Sequence, residues 1–231
     1  MKTPSSPANP CQVKVCGVRD AGDADALDAL GVDWIGFNFH PGSARHVSPE
    51  AATPLIRGLR RAVPVGVFVD ADLANVVEIV RMTGVRYVQL HGSETWEYVM
   101  KMPVPVIKAI PHDRLADLGG LRDGLSRAST GSHPLAFFLV DTQANAESRQ
   151  GPGAFGGTGR VFDWSLLGKF PLPLPYFLAG GLGGHNLRAA LEACSPLAVD
   201  LNSKVEIAPG KKDLEKVRAC LEIVREFRRR S

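Results

Sequence analysis

Short apolar runs alternate with helix-patterned runs along the whole chain, and this alternation constrains the fold more than any other feature. The strand-like runs fall at 13–16, 34–39, 64–69, 87–90, 104–109, 136–140, 176–179 and 198–201. The helix-like runs between them fall at 21–30, 48–61, 72–83, 94–100, 114–126, a short stretch near 164–169, 186–194 and 212–229. Punctuation supports the pattern. Asp20 can cap the first helix and Gly31 can close it. Ser48-Pro49-Glu50 is a helix start: Ser caps, Pro fits the first turn, and Glu suits the positive end. Gly84 closes the third helix. In the last helix Leu214, Val217, Leu221, Val224 and Phe227 share one face. Eight strand–helix pairs with no break in composition predict an α/β protein, a single (β/α)8 TIM barrel of parallel strands. The strands are apolar throughout, as strands buried on both faces should be. A doubly wound open sheet is the rival. No GxGxxG follows the first strand, and eight units exceed what that fold usually needs.

Composition narrows the function classes. The chain has 231 residues, 45% hydrophobic and 22% charged, which is ordinary for a water-soluble domain. The net charge is +3, and Arg228-Arg229-Arg230 supply much of it. With no aromatic residues interleaved, that run reads as a solvated helix end and not a nucleic-acid site. Residues 1–10 read as a flexible N-terminal tail without the apolar core of a signal peptide, and 11–231 as the barrel catalytic domain. No apolar run is long enough to span a membrane. The four cysteines, Cys11, Cys16, Cys194 and Cys220, lack metal-ligand spacing, and their use fits a reduced, cytoplasmic setting.

A barrel builds its site at the C-terminal ends of its strands. Cys16 stands at the end of strand 1, Asp70 at strand 3, His91 at strand 4, Lys108 near strand 5, and Asp141-Thr142 at strand 6. Strand 2 leads into His40-Pro41-Gly42-Ser43-Ala44-Arg45, and strand 8 into Asn202-Ser203. The glycines after strand 7, including Gly180 and Gly181, let backbone N–H groups approach an anion. Barrels often bind phosphate after strands 7 and 8, where Asn202 and Ser203 add side-chain donors. The Arg45 fork suits a carboxylate, or is an ordinary surface arginine. His91 can orient a substrate, or is structural. Cys16 and Asp141, from strands 1 and 6, form a natural acid–base pair across a small substrate. Each has a plain alternative: a packed thiol for Cys16, a loop or cap residue for Asp141. A base role for Cys16 calls for a lowered pKa, to which Lys14 can contribute, and an acid role for Asp141 for a raised one.

A set of motifs in order along the chain carries a resemblance. They are Val13-Lys14-Val15-Cys16-Gly17, Ile35-Gly36-Phe37-Asn38-Phe39, Ser43-Ala44-Arg45, Val88-Gln89-Leu90-His91-Gly92, Val140-Asp141-Thr142, Gly156-Gly157-Thr158-Gly159, Leu178-Ala179-Gly180-Gly181-Leu182 and Pro209-Gly210-Lys211-Lys212-Asp213. With them the chain resembles the phosphoribosylanthranilate isomerase family of tryptophan biosynthesis. The resemblance implies an intramolecular oxidoreductase, an aldose–ketose isomerase needing neither cofactor nor metal. It would convert N-(5-phosphoribosyl)anthranilate to 1-(2-carboxyphenylamino)-1-deoxyribulose 5-phosphate by an Amadori rearrangement. It implies Asp141 as the general acid that opens the ribose ring and Cys16 as the general base at C2. It implies Arg45 on the anthranilate carboxylate, Gly180, Gly181, Asn202 and Ser203 on the phosphate, and the 156–159 loop closing the site. The expected partner is a small phosphorylated substrate, with no nucleic acid or membrane, and the expected state is monomer or homodimer.

Two departures from the family pattern set further expectations. Asn202 and Lys204 stand where the family has Ser and Gly after strand 8. If position 204 has positive φ, a lysine there costs about 1 kcal/mol or more; alternatively it adds a cation for the phosphate. Gly42 and Ala44 replace Lys and Pro and should loosen the loop that carries Arg45. The rivals are another phosphosugar epimerase or aldolase, the latter needing a Schiff-base lysine such as Lys108, and a non-catalytic phosphosugar-binding barrel.

Overall fold

The computed structural model describes residues 11–115, 123–125, 133–142, 164, 167 and 172–230. The expected tail, the 156–159 loop and most of the 114–126 helix lie outside them. Strands β1 (Gln12–Cys16), β2 (Trp34–Asn38), β3 (Val63–Phe68), β4 (Tyr87–Leu90), β5 (Val106–Pro111), β6 (Leu135–Asp141), β7 (Tyr176–Ala179) and β8 (Ala198–Leu201) form a closed ring in chain order. Every neighbouring pair is parallel, and β8 returns to β1 with Lys14 opposite Asp200. This is the expected barrel.

The helices begin and end where local chemistry dictates. Helix α1 (Ala21–Leu30) is capped by Asp20, whose carboxylate accepts the Asp23 N–H at 2.9 Å, and closes on Gly31 in the left-handed region. Helix α2 (Pro49–Gly58) starts at Ser48 as expected but stops before 61. The reason is Asp28, whose carboxylate accepts the N–H groups of Arg60, Arg61 and Ala62 at 3.1, 3.0 and 2.7 Å and turns the chain toward β3. Asp28→Ala leaves three backbone donors without their anion and should cost about 2–3 kcal/mol of stability; urea unfolding reads this directly.

Helix α3 (Leu73–Thr83) and the one-turn α4 (Trp96–Val99) follow. The α4 turn starts later than the sequence pattern predicts because Glu94 points inward. It accepts the Asp70 N–H at 3.0 Å and pairs with Lys108 at 2.9 Å. Helix α5 (Leu187–Ala193) precedes β8, and α6 (Leu214–Arg230) closes the chain. Between β8 and α6 lies a hairpin absent from the sequence reading, β9 (Glu206–Ala208) with β10 (Lys211–Lys212). Lys212 therefore belongs to a strand, not to the last helix. Arg228 does more than solvate a helix end: its Nε donates to the Cys11 carbonyl at 2.6 Å, tying α6 to the start of β1.

Side chains alternate inward and outward along each strand. Trp34, Val65, Ile107, Leu139, Phe177 and Ala198 fill the barrel interior, with Tyr87 and Phe137 packed on them. Trp34 meets Tyr87 and Phe177 edge-on at 4.9 and 5.3 Å. Two residues further along, β6 and β8 turn Asp141 and Asp200 inward, and Gln89 follows Tyr87 on β4, so this apolar floor lies beneath a partly polar layer.

Candidate active site

The period of two carries Lys14 and Cys16 of β1, Gln89 and His91 of β4, Asp141 of β6 and Asp200 of β8 to the inner side of the barrel mouth. Cys16 is only 7% exposed. Its thiol has room because position 36 opposite is glycine: a Cβ there would stand 2.8 Å from Sγ. Gly17 then turns the chain at φ +77°, and a Cβ there would meet the Arg45 side chain at 2.6 Å.

Electrostatics act on the thiol from several sides. Burial pushes its pKa up, Lys14 and Lys212 pull it down, and Asp200 pushes it up again. The net direction is upward, so the lowering expected of a base is present as a pull from Lys14 but not as the balance. Lys14 is fully buried and holds Asp200 Oδ2 at 2.6 Å. Burial pushes its pKa down, but the Asp200 and Cys16 charges outweigh that and hold it above the usual lysine range. The remaining thiols are packing groups, with burial pushing Cys11 up to about 12 and Cys194 and Cys220 to about 11.

Across the mouth, His91 Nε2 lies 3.4 Å from Asp141 Oδ2. Gln89 Nε2 is 3.0 Å from His91 Nδ1. With the amide nitrogen on that side, Nδ1 accepts and the ring proton sits on Nε2, facing Asp141. His91 thus stands beside Asp141 as well as at the mouth.

Arg45 is gripped from one side. Its Nε donates to Glu206 at 2.9 and 3.1 Å, and its Nη2 at 2.6 Å. That engages one edge of the guanidinium. The Nη1–Nη2 edge has no protein partner among the described residues and can take a second carboxylate. Glu206 also accepts Lys212 Nζ at 2.6 Å and the Gly210 N–H at 3.1 Å. Lys212 in turn donates to the Cys16 carbonyl at 2.5 Å and to Asn202 Oδ1 at 3.2 Å. Glu206 and Lys212 thus link the ends of β1, β2 and β8, and single-residue reasoning missed both. The signal was the terminal motif around Lys212.

The Arg45 loop is not loosened by Gly42 and Ala44. Ser43 Oγ accepts from Asn38 Nδ2 and the Arg45 N–H, both at 3.1 Å, and Arg19 holds the Ala44 carbonyl at 3.0 Å.

After β7, Gly180 and Gly181 have φ of +99° and +67°, values that favour glycine. Thr142 Oγ1 donates to the Ala179 and Gly180 carbonyls at 2.8 and 3.0 Å. Asn186 accepts the Gly183 N–H at 2.9 Å and donates to the Gly181 carbonyl at 3.2 Å. Thr142 and Asn186 therefore shape the loop, while α5 begins only at Leu187, too far along to lend its dipole to Gly180. Asn202 turns its Oδ1 to Lys212, which leaves its Nδ2 as the donor for a ligand. Lys204 does not have positive φ, so the feared strain is absent. Its Cβ lies 2.9 Å from where a Gly183 Cβ would stand, beside the glycine loop. Lys204→Gly should raise KM about fivefold with kcat little changed, as an exposed cation worth about 1 kcal/mol would; steady-state kinetics reads the split.

Lys108 is turned away from the mouth. Its neighbours Ile107 and Ala109 face the interior, so Lys108 faces out, where Glu94 Oε2 and the Gly92 carbonyl hold its ammonium at 2.9 and 2.7 Å. Among the described residues no cluster of ligating side chains could hold a metal ion, and no helix is long and apolar enough to cross a membrane.

Fold and site together define a (β/α)8-barrel enzyme whose chemistry sits at the C-terminal mouth. The family model for N-(5'-phosphoribosyl)anthranilate isomerase matches residues 13–223. A relative from Syntrophus aciditrophicus, named N-(5'-phosphoribosyl)anthranilate isomerase, is 38% identical, covering 94% of this chain and 88% of its own. The crystal structure of phosphoribosyl anthranilate isomerase from Thermotoga maritima aligns with a TM-score of 0.76 at 31% identity, covering 94% of this chain and 99% of its own. A second solved isomerase, in complex with reduced 1-(o-carboxyphenylamino)-1-deoxyribulose 5-phosphate, aligns at TM-score 0.73 and 29% identity, with 94% and 99% covered. The chain belongs to the N-(5'-phosphoribosyl)anthranilate isomerase family, and isomerisation of that compound in tryptophan biosynthesis is its function.

Proposed function

We propose that the reaction runs by general acid–base catalysis between Cys16 and Asp141, with no covalent enzyme intermediate. The observation that carries this is their placement: both sit on inward positions at the C-terminal ends of β1 and β6, on well-separated parts of one ring. Asp141 gives a proton to the ribose ring oxygen as the C1–O bond breaks and a C1=N bond forms. Cys16 thiolate takes the proton from C2, and those electrons form the C1=C2 bond as the nitrogen lone pair is restored. The resulting enolamine gains a proton at C1 and loses one from the C2 hydroxyl, giving the ketose. C1 is reduced and C2 oxidised within one molecule, so no external cofactor is required.

Arg45 holds the anthranilate carboxylate on its Nη1–Nη2 edge while Glu206 fixes the other edge. Gly180, Gly181, Asn202 and Ser203 take the phosphate. His91 steadies Asp141 and the ring-opening end of the substrate. Four free, buried cysteines favour a reduced, cytoplasmic setting. The ion pair and outward aim of Lys108 disfavour an aldolase reading. The test is turnover of the fluorescent anthranilate substrate by the wild-type protein, with borohydride added in a parallel run. The proposal expects rapid loss of fluorescence and no trapped lysine. Product binding without turnover, or a reduced adduct on Lys108, would overturn it.

A further inference from the structure

We propose that Lys14 and Asp200 act as a charged pair of positioning residues, with Lys14 the counter-cation of the Cys16 thiolate and Asp200 the anion that competes with the thiolate for Lys14. The inference rests on the base role of Cys16. Lys14 and Cys16 are two residues apart on β1 and so share its inner face. Asp200 lies directly opposite Lys14 in the β1–β8 register, with its Oδ2 2.6 Å from Nζ. The Lys14 charge acts on the Cys16 thiol and pulls its pKa down.

Four charged groups face that thiol: Lys14 from β1, Asp200 from β8, Lys212 from β10 and Arg45 from the loop after β2. Lys212 is engaged by the Cys16 carbonyl, Asn202 and Glu206, and Arg45 by Glu206. Lys14 has Asp200 as its one ion-pair partner among the described residues, which leaves its ammonium the cation best placed to answer a charge on sulfur.

The second oxygen of Asp200 points to a working pair and not a purely structural one. Oδ1 is buried and has no hydrogen-bond partner among the described residues. A pair kept only for architecture would be expected to satisfy both oxygens. Asp200 also feels the charges of His91 and Asp141, so the pair stands between the base and the acid. Removing the cation and removing the anion should therefore move the thiol in opposite directions, which a mere packing role would not do.

The test compares iodoacetamide alkylation of Cys16 at one fixed pH in wild type, Lys14→Met, Asp200→Asn and the double variant, read on the Cys16 peptide by mass spectrometry. The acid limb of kcat/KM against pH is followed in parallel. Lys14→Met should alkylate about tenfold more slowly, and Asp200→Asn faster than wild type. The double variant, which leaves no lone buried charge, should fall between wild type and Lys14→Met, because Lys14 acts on the thiol more strongly than Asp200. The acid limb should shift up for Lys14→Met and down for Asp200→Asn. Cys11, Cys194 and Cys220 serve as controls, since general loosening would speed them all. Equal rates, or shifts of one sign in both single variants, would overturn the pairing. If Cys16→Ala keeps its turnover while the alkylation order holds, the base role fails and the charge pair stands; the converse isolates failure of the pair.

Discussion

Cys16→Ala and Asp141→Asn should each lower kcat by about 10²–10⁴-fold, the usual worth of one proton-transfer group. The two losses should differ in their pH behaviour. Burial pushes the Cys16 thiol up, so the wild-type kcat/KM should climb as pH rises toward and through the thiol range, where more thiolate is present. Cys16→Ala removes that climb. Asp141→Asn keeps it, because the thiol is untouched. Stability should change little in either case: Cys16→Ala removes a single sulfur atom, packed over Gly36, and Asn matches Asp in size. Steady-state assays from pH 6 to 10, with thermal melts alongside, would check both statements.

Glu206→Gln should be the most damaging change outside the reacting groups. Glu206 is shared between Arg45 and Lys212, with contacts of 2.6 Å to each. Lys212 is fully buried, and without a carboxylate beside it burial would push its pKa further down than it already does. Removing one member of such a network costs about 3–5 kcal/mol. Arg45 loses the grip that aims its free edge, so KM should rise about tenfold or more, with a smaller fall in kcat. The sign with pH follows from the depressed carboxyl. Burial raises the Glu206 pKa, but Arg45 and Lys212 outweigh it and hold it below the usual range. Its contribution is then complete above the ordinary glutamate value and lost as pH falls through the lower folded value. The stability gap between wild type and Glu206→Gln should narrow on acidification in that window. A gap that stays constant down to pH 3 would contradict the network.

The barrel was legible because periodicity and punctuation are local. The β4, β7 and β8 boundaries read from the pattern match the structure, as do Asp20, Ser48, Gly31 and Gly84 at the helix ends. Errors arose where a distant side chain set the local backbone. Asp28, 33 residues from Arg61, ends α2 early, and the Glu94–Lys108 pair delays α4. The strand ends gave Cys16, Arg45, His91 and Asp141 as candidates, and the structure carries Cys16, His91 and Asp141 to the mouth. Lys212 stood inside a recognised motif, but neither it nor Glu206 could be given a role, because a charged residue after the last strand looks like any solvated loop. Only the closure of β8 onto β1 turns them into the buried link between Cys16 and Arg45. The Lys204 substitution also misled by type: lysine for glycine suggests strain, yet the backbone there needs no positive φ.

The central claim is that one substrate lies between Cys16 and Asp141 with its two acidic ends fixed apart. A crystal structure of the wild-type protein with the reduced product, 1-(2-carboxyphenylamino)-1-deoxyribulose 5-phosphate in its secondary-amine alcohol form, tests this most directly. The account predicts Cys16 Sγ against C2, Asp141 on the opposite side against the former ring oxygen, the carboxylate on Arg45 Nη1 and Nη2, and the phosphate on the Gly180–Gly181 amides. A ligand with C2 remote from Cys16, or with its phosphate at Arg45, would contradict it.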